Sequence, residues 1–135
     1  MNDKNMKEHL RWLEQSKYDF NLAKKLMSTE FSISCFLFQQ SAEKIIVSYL
    51  VLKGSDKVWG SSISDLAEDC IPMDPTFDFL KSYGPILDKY LYSTRYPTYS
   101  ISGSPFQIFT KEDAEKAKEI CEEVIKFCKE KLKEI

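Results

Sequence analysis

A chain of 135 residues, 43% hydrophobic and 13% aromatic, with only four glycines and five prolines, has the composition of one compact domain spanning 1–135. That excludes disordered, collagen-like and low-complexity classes. Nineteen basic against twenty-one acidic residues leave a formal charge of −2, so no overall positive field is available for binding nucleic acid and any such contact must be local.

In chain order, residues 6–28 place Leu10, Leu13, Tyr18, Phe20, Leu22, Ala23, Leu26 and Met27 at mostly helical spacing between charged positions, which predicts an amphipathic first helix. Residues 31–53 carry only Glu43, Lys44 and the closing Lys53 as charges, and Gly54 supplies a stop. This second helix must be enclosed on most sides. After GSDKVWGSS, a short helix ISDLAEDC runs into Pro72 and Pro75. From about Asp74 to Tyr92 the apolar positions Phe77, Leu80, Tyr83, Leu87, Tyr90 and Leu91 predict a fourth helix, which Gly84-Pro85 can bend or split. Pro97, Gly103 and Pro105 hold residues 95–109 out of helix. Thr110 and Asp113 resemble a capping box opening a last helix to Ile135, with the stripe Ala114, Ala117, Cys121, Val124, Cys128 and Leu132. The fold class expected is all-α: an antiparallel up-and-down bundle of four long helices plus a short one.

The start, MNDKNMKEHLRW, has no apolar run behind its charges and does not read as a secretory signal. The longest apolar stretch, Phe31 to Leu52, is interrupted in its middle by Gln39, Gln40, Glu43 and Lys44, which a bilayer would penalise. No membrane span is expected, and a cytoplasmic location is. Cys35, Cys70, Cys121 and Cys128 form no CxxC pair and read as small core residues.

Two polar stretches stand out from this plain helical pattern. FQQSAEK, residues 38–44, sets Gln39, Gln40, Glu43 and Lys44 into the helix that most needs burial, with Gln40, Glu43 and Lys44 sharing a face. Desolvating such groups costs several kcal/mol unless each finds a partner. They therefore bridge neighbouring helices or face a polar cleft. KYLYSTRYPTYS, residues 89–100, sets Arg95 beside Tyr92, Tyr96 and Tyr99. A guanidinium is a permanent planar fork of donors for phosphate or carboxylate, and tyrosine rings can stack on a base. The plainer reading of the same residues is an arginine closing a helix C-terminus, with tyrosines packed around it.

Together, Trp12 in the first helix, FQQSAEK, WGSSISDL, YLYSTRYP and the loop into FTKEDAEKA resemble the HEPN domain family, over nearly the whole chain. The pairing of QQxxEK with RYP some fifty residues on carries most of that resemblance. It implies an up-and-down bundle that commonly dimerises, works in nucleotide or RNA transactions beside small nucleotidyltransferases, and often belongs to toxin–antitoxin or other defence pairs. Many relatives are metal-independent ribonucleases using an arginine followed four to six residues later by a histidine. Here Arg95 is followed by YPTYSISG, without that histidine, and Ser61 stands where relatives tend to carry another. The one histidine, His9, falls on the charged face of the first helix and is expected to be solvated. No Walker or Rossmann glycine loop, GxSxG elbow or zinc-binding histidine pair is present. Asp65, Glu68 and Asp69 read as a solvated acidic run, so neither metal nor cofactor is expected.

The expectation is a homodimeric, nucleotide- or RNA-phosphate-binding module using Gln39, Gln40, Glu43, Lys44, Arg95, Tyr92, Tyr96 and Tyr99, paired with a nucleotidyltransferase. The alternatives are a degenerate ribonuclease toxin built on Arg95, and a purely structural dimerisation module.

Overall fold

The computed structural model describes residues 3–55 and 62–133. Its long helices are α1 (Asp3–Leu26), α2 (Phe31–Leu52) and α7 (Lys111–Lys133), with α3 (Ile63–Cys70), α4 (Gly84–Asp88), α5 (Tyr90–Ser93) and α6 (Pro105–Ile108) between them. Two 3-10 helices, Pro75–Ser82 and Pro97–Tyr99, complete the described elements. There is no strand among the described residues, and no described helix is long and apolar enough to cross a membrane.

α2 is the axis of the molecule, as its scarcity of charge requires. It ends where Gly54, at φ +91°, lets Ser55 N–H bond back to Leu50 O and Gly54 N–H to Val51 O, the paired closure that glycine makes cheap. Against α1 it packs through three buried polar rungs. Ser34 Oγ donates to Ala23 O at 2.8 Å. Ser16 and Ser41 each donate a hydroxyl to the other's carbonyl, at 2.7 and 2.8 Å. His9 Nδ1 lies 3.0 Å from Ser48 O, and since a carbonyl can only accept, that nitrogen carries the proton. Residues 34, 41 and 48 step by sevens along α2 while 23, 16 and 9 step back by sevens along α1. Small side chains let the two backbones approach, and the heptad step keeps the rungs on one seam. His9 is thus buried at 6% exposure, not solvated as expected. Its face carries Ser16 and the small Ala23, which give little apolar signal at His9 itself.

α7 lays Ala114, Ala117, Cys121, Val124 and Cys128 into the core, all fully buried. Phe77 meets Tyr49 near the end of α2 and Phe127 near the end of α7, at ring-centroid distances of 4.5 and 5.1 Å. α2 and α7 therefore run the same way, α1 runs against them, and the up-and-down bundle stands.

The expected fourth long helix, Asp74 to Tyr92, is divided into the 3-10 helix Pro75–Ser82, α4 and α5. Gly84 approaches α3 so closely that a Cβ there would lie 2.3 Å from Ser64 Oγ, which only glycine permits. Asp88, at the end of α4, then accepts from Ile63 N–H (2.7 Å), Ser64 N–H (3.1 Å) and Ser64 Oγ (3.0 Å), tying α4 to the start of α3. From that anchor the chain turns through α5 to Arg95.

Candidate functional site

α5 is a single turn, and its termination determines where Arg95 points. Thr94, 1% exposed, donates its hydroxyl to Tyr90 O at 2.6 Å, while the N–H groups of Arg95 and Tyr96 both close on Tyr92 O at 3.0 Å. Tyr96 is extended (φ −123°, ψ 122°) because Pro97 follows and disfavours helix in the preceding residue. Arg95 folds back over its own turn. Nε donates to Leu91 O at 3.0 Å and Nη2 shares that acceptor. The guanidinium thereby closes the helix C-terminus, as the plainer sequence reading held.

That bond uses only part of the guanidinium. Nη1 and the second N–H of Nη2 have no acceptor among the described residues. The group sits among aromatic rings: its Cζ is 4.2 Å from the Phe36 centroid, 5.1 Å from Tyr96 and 5.7 Å from Tyr92. Such contacts hold the plane in place and keep its charge from bulk water on that side. Beside it Tyr92 and Tyr99 stack, with centroids 6.0 Å apart and planes 18° apart, and Tyr92, Tyr96 and Tyr99 are each about half exposed. The corner is thus a fixed cation next to an open aromatic platform.

Phe36 joins this corner to FQQSAEK, and the sequence reading missed it. At 3.6 residues per turn, Phe36, Gln40 and Glu43 fall along one line of α2, with Gln39 to one side and Lys44 to the other. Gln40 Nε2 donates to Gln39 Oε1 at 2.7 Å and to Glu43 Oε2 at 3.0 Å. Since Glu43 demands a donor there, Gln40's amide orientation is fixed, and so is that of Gln39. Gln39 Nε2 is left fully buried without a hydrogen-bond partner. A buried amide in that state carries a penalty of about 1–3 kcal/mol.

Lys44 turns away to α1. Its Nζ pairs with Asp19, whose other oxygen accepts from Gln15 Nε2 at 2.9 Å. Lys44 also lines an open recess of about 390 Å³ with Glu8, Arg11, Trp12 and Gln15. Lys44 and Arg95 share no contact; about 12 Å of helix axis separates Lys44 from the Phe36 that carries Arg95. The arrangement therefore brings Arg95 to the tyrosines and Phe36, and sets Gln39, Gln40 and Glu43 one turn further on. Lys44 belongs to an adjoining ion pair. The one signal that could have identified Phe36 is its place four residues before Gln40, on the same helical line.

Ser61 lies outside the described residues. Glu68 pairs with Lys81, and no group of three metal-binding side chains gathers among the described residues. The four cysteines are buried. Burial, ahead of nearby charges, pushes the Cys35 and Cys70 thiols up to about 12 and raises Cys121 and Cys128 well above the ordinary thiol range. None is a thiolate nucleophile at neutral pH.

An all-helical bundle with a QQxxEK stripe on its central helix and an RYP corner against it defines a HEPN-like domain. The family description "HEPN domain" matches residues 9–132, and the chain belongs to that family. Among solved structures, TT1696 from Thermus thermophilus is similar at 31% identity and a TM-score of 0.83, covering 91% of this chain and 97% of that one. ST0689, an archaeal HEPN homologue, is 28% identical with a TM-score of 0.72, over 91% and 96% of the two chains. The HEPN domain protein tm0613 from Thermotoga maritima is 25% identical with a TM-score of 0.72, over 93% and 99%. No curated protein matches the sequence.

Proposed function

We propose that the Arg95 corner binds the phosphate and base of a nucleotide or of single-stranded RNA. The observation that carries this reading is a guanidinium held against Phe36 and Tyr96, with no acceptor for Nη1 among the described residues, beside the exposed Tyr92–Tyr99 stack. Arg95 supplies the phosphate donors, Tyr92 and Tyr99 the stacking surface, and Tyr96 the wall. Of the stripe beside it, Gln40 is partly exposed and is the group that can reach a base edge, while Gln39 and Glu43 lie buried and set its orientation. Lys44, its charge offset by Asp19, stands outside this ligand set.

The same reading takes the chain to be a homodimer in the cytoplasm that works with a small nucleotidyltransferase in a toxin–antitoxin or defence pair, as the family resemblance implies. A ribonuclease built on Arg95 is the weaker alternative. It needs a positioned proton acceptor, whose loss removes about two to four powers of ten in rate. The chain's one histidine is on α1 and gives its Nδ1 proton to Ser48 O.

Fluorescence anisotropy with a labelled five-nucleotide single-stranded RNA, titrated with protein at two salt concentrations, tests the proposal. Saturable binding that weakens with salt and is competed by AMP is the expected result. Failure of both the RNA and AMP to bind overturns it.

A further inference from the structure

α1 and α7 each pack along α2, while their own backbones stay apart over most of their length. An up-and-down bundle ordinarily closes there, first helix against last. What remains is a groove of about 540 Å³, walled by Leu13 and Phe20 of α1 and Ile125 of α7, with Ile45 of α2 at the bottom. Leu13, Phe20 and Ile125 are each partly exposed along it, while Ile45 beneath them is buried. The apolar strip open to the groove is narrow, so a partner would be selected largely by the charge of its rim.

The rim has a sign. Lys17, Lys126, Lys129 and Lys133 line the groove against only Glu122 and Glu130. A fifth lysine, Lys24, reaches to 5.7 Å from the Phe20 ring. In a chain whose formal charge is −2, this excess of positive charge is local. It also selects among occupants. A second copy docking through the same face would bring two rims of net positive charge together, which opposes association.

We propose that this groove receives an amphipathic helix from a different protein, with aliphatic residues on its inner line against Leu13, Phe20 and Ile125 and glutamates or aspartates along both flanks. A groove between two long helices accepts a helix through residues spaced i, i+3, i+4 and i+7. The partly exposed walls provide the burial, and the lysine rim provides orientation and specificity. Ile45 stands nine residues from Phe36, about two and a half turns, which puts the groove on the opposite side of α2 from the Arg95 corner. The proposal is therefore independent of the nucleotide reading.

The test uses two synthetic 21-residue peptides with identical leucine heptads, one flanked by glutamates and the other by lysines, titrated into isotope-labelled full-length protein and followed by amide NMR. The glutamate peptide should shift amides around Leu13, Phe20, Ile45 and Ile125, and the lysine peptide should not. The double variant Lys126→Glu/Lys129→Glu, whose sites are exposed and whose fold a melting curve checks, should lose at least about tenfold in affinity for the first peptide and gain affinity for the second. Equal affinity for both peptides, shifts mapping elsewhere, or no binding by either would overturn the proposal. So would shifts of the same amides by sodium laurate alone, which would make the groove a site for a small anionic amphiphile.

Discussion

The α1–α2 seam and the Arg95 corner both put polar side chains against the central helix, but they do so to opposite ends. Along the seam each polar group on the rungs of Ser34, Ser16–Ser41 and His9 meets a partner on the facing helix, and all of them are buried. At the corner Arg95 satisfies one carbonyl and keeps donors in reserve, Gln39 Nε2 has no partner, and three tyrosines remain half exposed. A polar set that closes on itself fixes register; one left open is suited to an outside ligand. Burial alone does not separate these roles, whereas the completeness of hydrogen bonding does.

The comparison can be broken most forcefully at the seam. Ser41→Leu forces bulk between helices held close by hydroxyl rungs and should cost about 3 kcal/mol, a fall of roughly 10 °C in melting temperature. RNA affinity, measured well below the new midpoint, should stay unchanged. Equal stability would mean the seam is looser than its bonding implies.

At the corner the effect should be on binding alone. Tyr99→Ala removes one ring of the stack from an exposed position, so RNA affinity should fall about fivefold or more while the melting temperature holds. Loss of stability without loss of affinity would assign the tyrosine to packing.

A smaller effect sharpens the picture of the core that separates the two regions. Burial, acting ahead of neighbouring charges, pushes Cys35, Cys70 and Tyr90 up to about 12 from ordinary values of 9.0, 9.0 and 10.0. The folded state thus favours their neutral forms. That stabilisation is fully present below about pH 9 and is lost as pH rises from there through about 12. Urea midpoints should therefore fall between pH 8 and pH 10.5, and iodoacetamide at pH 8 should label the thiols only after unfolding. Rapid labelling of the native protein would contradict their burial.

The sequence made some of this legible for physical reasons. α2 was readable as the enclosed helix because it carries so few charges, and the α7 stripe because its spacing is regular. Gly84-Pro85 marked where the fourth helix would break, but the contact with Ser64 that requires glycine joins residues twenty apart and has no local signature. His9 was misplaced because its face is built from Ser16 and Ala23, whose burial comes from close backbone approach and not from hydrophobicity. Of the site, both polar stretches and the residues in them could be read off. Their geometry could not: Phe36 as the surface under Arg95 and Asp19 as the partner of Lys44 are tertiary facts.

The central claim is that Arg95 is held for a ligand and not only for its own helix. Titration calorimetry of a five-nucleotide single-stranded RNA into wild-type protein and Arg95→Ala, with melting temperatures taken on the same samples, tests it most directly. The account predicts a loss of at least about tenfold in affinity, since a hydrogen bond to a charged group contributes about 1.5–3 kcal/mol, with melting temperature changed by only a few degrees. Equal affinity for the two proteins, or a fall in stability with binding untouched, would contradict it.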